Sequence, residues 1–128
     1  MKVIVDTNVL VSAAVAGKNP GTVLAFIADS PQVEWMVSAE IVTEYREVLN
    51  RPKLKLTEAQ KQRWFTIIEE ATTLIDVNIN VDFPRDSKDA KFIACALASG
   101  ADFLIKERSR FYGGRRLGKN QGYVRFAI

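Results

Sequence analysis

The sequence predicts an α/β domain with a mostly parallel central sheet covered by helices on both faces. Short β-branched apolar runs alternate along the chain with stretches whose apolar residues recur at helical spacing. The chain has 128 residues, 48% of them hydrophobic, which is enough for one real core without metal or disulfide staples. No repeat, low-complexity stretch or linker divides residues 1–128, so one domain is expected.

Residues 2–5 read as a buried strand, and Asp6-Thr7-Asn8 closes it with turn and cap chemistry before an apolar helix over about 9–16. Asp6 then stands at a strand's carboxyl end. A turn at 17–20 leads into a helix that Pro20 or Gly21 opens and that runs to residue 28, with Val23, Leu24 and Ile27 on one face. The second strand spans 33–37. Ser38 can cap a helix reaching residue 49, where Ile41, Val42, Tyr45, Val48 and Leu49 follow the i, i+3, i+4 rule. Arg51-Pro52 stops it.

Thr57 with Gln60 three residues later is a capping-box signature, and the helix it opens, to about residue 70, aligns Trp64, Phe65, Ile67 and Ile68. A third strand is expected over 74–77, then a loop at 81–86 containing Pro84. Asp86 or Ser87 begins a strongly apolar helix that ends at Ser99-Gly100, a glycine stop. Residues 102–105 and 123–127 give the last two strands, separated by a loop at 113–122. Binding sites on such sheets lie beyond the carboxyl ends of the strands.

Composition limits the chemistry. There is no histidine, which removes the commonest transition-metal ligand and general base together and rules out Ser-His-Asp and Cys-His catalysis. Any metal must be held by oxygen, which selects Mg²⁺, Mn²⁺ or Ca²⁺ over zinc. The lone Cys95, inside the apolar run 92–97, cannot join a disulfide within the chain and reads as a small buried hydrophobe in a reducing setting. An acid interrupts the N-terminal apolar run after three residues, and no stretch approaches the ~20 apolar residues that span a bilayer. The expectation is a soluble cytoplasmic protein. Net charge is +3, and from Lys106 to Arg125 seven cations oppose Glu107 alone, a distribution suited to a phosphate backbone.

The candidate carboxylates are Asp6 after the first strand, Glu44 within the helix Ser38 opens, and Asp86 and Asp89 at the start of the apolar helix. Glu44 sits near Ile41, Val48 and Leu49, so it faces a core edge and needs a cation or donors. Asp86 and Asp89 share one helical face in a first turn, where the dipole favours negative charge. Each has a plainer reading as well: Asp86 as a cap, Glu44 paired with a Lys or Arg on an exposed face, Asp6 as a turn residue.

Val5-Asp6-Thr7-Asn8-Val9-Leu10 resembles the opening motif of PIN domains. The stretch from Ser38 to Leu49 is similar to the family's second acidic motif, with Glu44 as the acid. Arg85-Asp86-Ser87-Lys88-Asp89-Ala90-Lys91-Phe92-Ile93-Ala94, followed by Ala101-Asp102-Phe103-Leu104-Ile105, resembles its third acidic helix and the strand after it, with Asp89 as the acid. The resemblance covers residues 1 to about 105. It implies a three-layer α/β/α fold and a Mg²⁺- or Mn²⁺-dependent ribonuclease, often the toxin of a VapBC-type toxin–antitoxin pair. Asp6, Glu44 and Asp89 would hold the metal, Asn8 would orient Asp6 or a water, and Ser38 would contribute a hydrogen bond. Asp86 is a further supporting acid. The resemblance also suggests an RNA substrate, an antitoxin partner and homodimers.

One departure stands out. Family members commonly read Thr-Gly-Asp after the fourth strand, whereas this chain has Lys106-Glu107-Arg108, with Arg108 where the fourth acid would be. Glu107 is a substitute one position early, or Arg108 contacts phosphate directly. Arg108 and Arg110, with Arg115 and Arg116 in a glycine-rich loop, are the candidate nucleic-acid contacts, and a solvated surface loop is the plainer reading of the latter pair. The rival to an enzyme is a degenerate PIN domain that binds RNA or protein without cutting. A phosphatase using Asp6 as nucleophile is disfavoured, since such enzymes want a second Asp two residues on and Asn8 stands there.

Overall fold

The computed structural model describes residues 1–16, 27, 29–78 and 90–106, and the backbone of 123–125. Strand β1, Lys2–Val5, forms because Val3, Ile4 and Val5 are β-branched and wholly buried, as a strand enclosed on both faces requires. Helix α1 follows over Thr7–Ala16 and strand β2 over Glu34–Val37. Helix α2 spans Ala39–Leu49, a short 3-10 turn covers Pro52–Leu54, and helix α3 runs over Glu58–Ala71 into strand β3, Thr72–Leu74. Helix α4 is Ala90–Ser99, and strands β4, Phe103–Ile105, and β5, Tyr123–Arg125, complete the order.

The sheet order is β3-β2-β1-β4-β5. β1 lies parallel to β2 with Val3 opposite Trp35, and parallel to β4 with Val5 opposite Ile105. β2 and β3 are also parallel, while β5 runs antiparallel to β4. Helices cover this mostly parallel sheet in a three-layer α/β/α arrangement: α4 packs on β1, β2 and β4, while α2 contacts α1, α3 and α4. The core joins Val3, Ile4, Val5, Trp35, Met36, Val37, Leu104 and Ile105 of the sheet to Leu10, Ile41, Leu49, Trp64, Ile68 and Phe92 of the helices. Each fully buried large side chain contributes about 1.5–3 kcal/mol.

Caps and stops fall where the sequence puts them. The Ser38 hydroxyl accepts the Ile41 amide at 3.2 Å, and Thr57 and Gln60 form both bonds of the capping box. Gly100 ends α4 at φ +68, a left-handed conformation that costs glycine nothing, and Ala101 N–H then reaches back to the Ala96 carbonyl.

Two elements differ from expectation. α1 starts at Thr7 rather than Val9, because the Asp6 carbonyl already accepts the amides of Val9 and Leu10. β3 occupies Thr72–Leu74 rather than 74–77. It is an edge strand whose register is set by Trp35, Met36 and Val37, and solvent on its outer side leaves Thr73 and Leu74 exposed, so its pairing residues need not be apolar. Ile75 N–H still bonds the Val37 carbonyl at 2.9 Å, and Ile75 and Val77 pack against the core just past the strand. The expected helix up to residue 28, the loop at 81–86, the start of the apolar helix at 86–89, the loop at 113–122 and residues 126–127 lie outside the described residues, apart from buried Ile27. Among the described residues no helix is long and apolar enough to cross a membrane.

Candidate active site

The chain steps from β1 to β2 and β3 in one direction, then returns past them to β4 on the other side of β1. Such a reversal opens a crevice at the carboxyl ends of the two strands where it occurs, here β1 and β4. Asp6 is the first residue beyond β1. Its amide donates to the Ile105 carbonyl at 2.9 Å, and its carbonyl accepts the Val9 amide at 3.1 Å, so strand pairing on one side and the first turn of α1 on the other fix its backbone. Its side chain lies in a residue only 8% exposed. Lys106, the first residue beyond β4, is equally sheltered at 9%. An acid and a base therefore leave adjacent strands side by side.

Glu44 reaches this point from α2. The Thr7 hydroxyl donates to its Oε2, and the Lys91 ammonium, from α4, lies 2.7 Å from its Oε1. Both ends of this ion pair are partly buried, with 19% of the Lys91 side chain and 27% of the Glu44 side chain exposed. The plainer reading of Glu44, an exposed pair on a helix surface, is thus half right: it has a basic partner, but one supplied by another helix in a sheltered place.

Tyr45 sets the rotation of α2 that aims Glu44. Its phenol is fully buried and donates to the Val5 carbonyl, the last of β1, while the Trp35 indole N–H donates to the phenol oxygen at 3.4 Å. Burial pushes the phenol far above its ordinary pKa. The indole hydrogen bond opposes that shift, and the nearby carboxylates of Asp6 and Glu44 add to it. The Tyr45 hydroxyl is therefore a permanent donor holding α2 to the end of β1.

Ser38 is buried and caps α2 through its hydroxyl, and Asn8 is exposed in the first turn of α1. Asp86, Asp89, Glu107, Arg108, Arg110, Arg115 and Arg116 lie outside the described residues. Of the three expected metal-binding acids, the structure thus places Asp6 and Glu44 at the same strand end. Among the described residues no group of three or more His, Cys, Asp or Glu side chains could hold a metal ion. The two carboxylates are hard oxygen donors, the ligand type that divalent ions of PIN domains take, and Glu44 Oε1 already receives the Lys91 ammonium.

Thr7, Tyr45, Lys91 and Lys106 belong to this site and were not singled out as site residues by pattern. Lys91 gave no local signal, because its acidic partner lies 47 residues away on another helix. Tyr45 gave none, since its spacing only marks the buried stripe.

A family model for the PIN domain matches residues 2–107, which include both described carboxylates, Lys91 and all four parallel strands. No curated protein and no solved structure matches the chain. With a family match over most of its length, the expected three-layer architecture and the acidic strand end of that fold, the chain belongs to the PIN domain family.

Proposed function

We propose that this chain is a metal-dependent endoribonuclease that hydrolyses RNA phosphodiester bonds at the carboxyl ends of β1 and β4, and that it acts as the toxin of a toxin–antitoxin pair. PIN domains are generally nucleases. The observation that carries the finer reading is the sheltered Asp6 carboxylate at the sheet's reversal point, with Glu44 held beside it by Thr7 and Lys91.

Asp6, Glu44 and Asp89 are the residues that would hold the ion. A bound Mg²⁺ or Mn²⁺ supplies neutralisation of the carboxylates and Lewis acidity toward a phosphodiester. The chain's own contribution is positioning. Backbone bonds on both sides of Asp6 fix it, the Thr7 hydroxyl orients Glu44, and Tyr45 fixes the rotation of the helix that carries Glu44. Lys106 adds positive charge beside Asp6, and Arg108, Arg110, Arg115 and Arg116 take the RNA backbone. Asn8 serves Asp6 from the exposed first turn of α1, and Asp86 and Glu107 are supporting acids. The same reading gives the chain a homodimeric state and an antitoxin whose segment covers the pocket.

A second reading, a PIN domain that binds RNA without cutting it, has its own observation. Glu44 is already neutralised by Lys91, Lys106 stands beside Asp6, and Arg108 occupies the place of the fourth acid. Labelled single-stranded RNA incubated with the full chain in Mn²⁺, Mg²⁺ or EDTA, beside Asp6→Asn and Asp89→Asn, separates the two. The nuclease reading expects cleavage with metal, none in EDTA and none from either variant. It also expects products without a 2′,3′-cyclic phosphate, because water and not the 2′-hydroxyl attacks. Intact RNA in every lane from folded protein rejects it in favour of the binding module.

A further inference from the structure

Glu44 already holds a cation supplied by the chain itself. Its two oxygens do different work: Oε2 accepts the Thr7 hydroxyl, which fixes the carboxylate's orientation, and Oε1 takes the Lys91 ammonium at 2.7 Å. Lys91 is carried by α4 and only 19% of its side chain is exposed, so the Glu44 carboxylate offsets the cost of sheltering its charge. We propose that Lys91 is an internal counter-ion that competes with a divalent cation for Glu44, and so sets how much metal the pocket needs before it fills. This rests on the metal-dependent reading above.

Electrostatics favours the competition. A divalent ion held by Oε1 would share that oxygen with the ammonium in a sheltered site that screens like charges poorly. Two cations on one oxygen repel each other, and the Thr7 hydroxyl already takes part of the acceptor capacity of the other. A metal entering there would weaken the Lys91 ion pair, and that loss would oppose binding. Without Lys91, Glu44 keeps its Thr7 bond and loses the ammonium that a metal has to compete with.

The test measures binding rather than turnover. Free Mn²⁺ is followed by electron paramagnetic resonance during titration of the wild-type chain, Lys91→Met and Lys91→Gln, each checked for folding by circular dichroism. A parallel arm follows the lysine ammonium resonances of the wild type by NMR as Mg²⁺ is added. Competition predicts that both variants bind Mn²⁺ about tenfold more tightly, equal to about 1.4 kcal/mol, and that the Lys91 signal shifts as Mg²⁺ saturates. Wild-type binding with equal or weaker binding by the variants overturns the role of Lys91 and leaves the metal reading intact. No Mn²⁺ binding by any of the three overturns both. Should neither variant fold, the wild-type signal decides: a Lys91 resonance unmoved at saturating Mg²⁺ refutes the competition.

Discussion

Tyr45→Phe removes one oxygen atom and no packing volume, so its cost isolates the polar tie between α2 and the end of β1. The phenol donates to the Val5 carbonyl and accepts the Trp35 indole N–H at 3.4 Å, all in a site with no solvent exposure. Among the described residues no buried side-chain nitrogen or oxygen lacks a partner, so the variant would create the first: the Trp35 N–H. Losing the phenol's bond to Val5 costs about 1 kcal/mol, and stranding a buried donor costs about 1–3 kcal/mol. Because the indole bond is long, the lower half of that range applies, giving a total of about 2 kcal/mol. For a chain of this size that lowers Tm by roughly 6–10 °C. Differential scanning calorimetry and urea titration at pH 7 measure it, and an unchanged m-value confirms that the native state alone was altered. A loss below about 0.5 kcal/mol would mean that the phenol is not bonded as described, and that something else fixes the rotation of α2.

Three further outcomes are expected. Burial pushes the Cys95 thiol up to about 11 from an ordinary value of 9.0, and Tyr45 is shifted upward from 10.0 as well. Both folded-state values exceed the unfolded ones, so the stability these groups contribute is complete below pH 9 and falls as pH rises through 11. Urea midpoints at pH 7, 9, 10 and 11 should decline, more shallowly in Cys95→Ala, and a midpoint that is flat or rises over this range contradicts the shift. Gly100→Ala places a Cβ where φ is +68; nothing lies within 4 Å of it, so the cost is conformational strain alone, about 1 kcal/mol in urea titration. A neutral result would show that the stop tolerates any residue. Thr57→Ala breaks a capping box on an exposed helix end and should cost about 1 kcal/mol, with Gln60→Ala nearly additive only if the two bonds are independent.

What pattern reading reaches and what it misses divide along one physical line. Local chemistry was legible: the β-branched apolar run of β1, the Ser38 cap, the Thr57–Gln60 box and the Gly100 stop each depend on residues within a few positions of one another. Edge position was not, and β3 shows why. Its Thr72 and Thr73 pair with β2 because of where α3 delivers them, and the more apolar residues at 75 and 77 pack beside the strand rather than in it. The site divides in the same way. Asp6 and Glu44 were identified from motif and from an acid set among apolar neighbours, but Glu44's partners come from 37 and 47 residues away, and no spacing rule connects them. The buried Lys106 read as part of a basic tail because its neighbours are basic; pairing of Ile105 with Val5 is what places it beside Asp6.

The most direct test of the central claim, that chemistry occurs at the strand end marked by Asp6, is single-turnover RNA cleavage by wild type and Asp6→Asn at saturating Mn²⁺, both shown to melt at comparable temperature. Loss of a metal-holding carboxylate predicts a rate at least about 100-fold lower, equivalent to about 2.7 kcal/mol of transition-state stabilisation. Cleavage by Asp6→Asn at the wild-type rate would place the chemistry elsewhere on the molecule and contradict the claim.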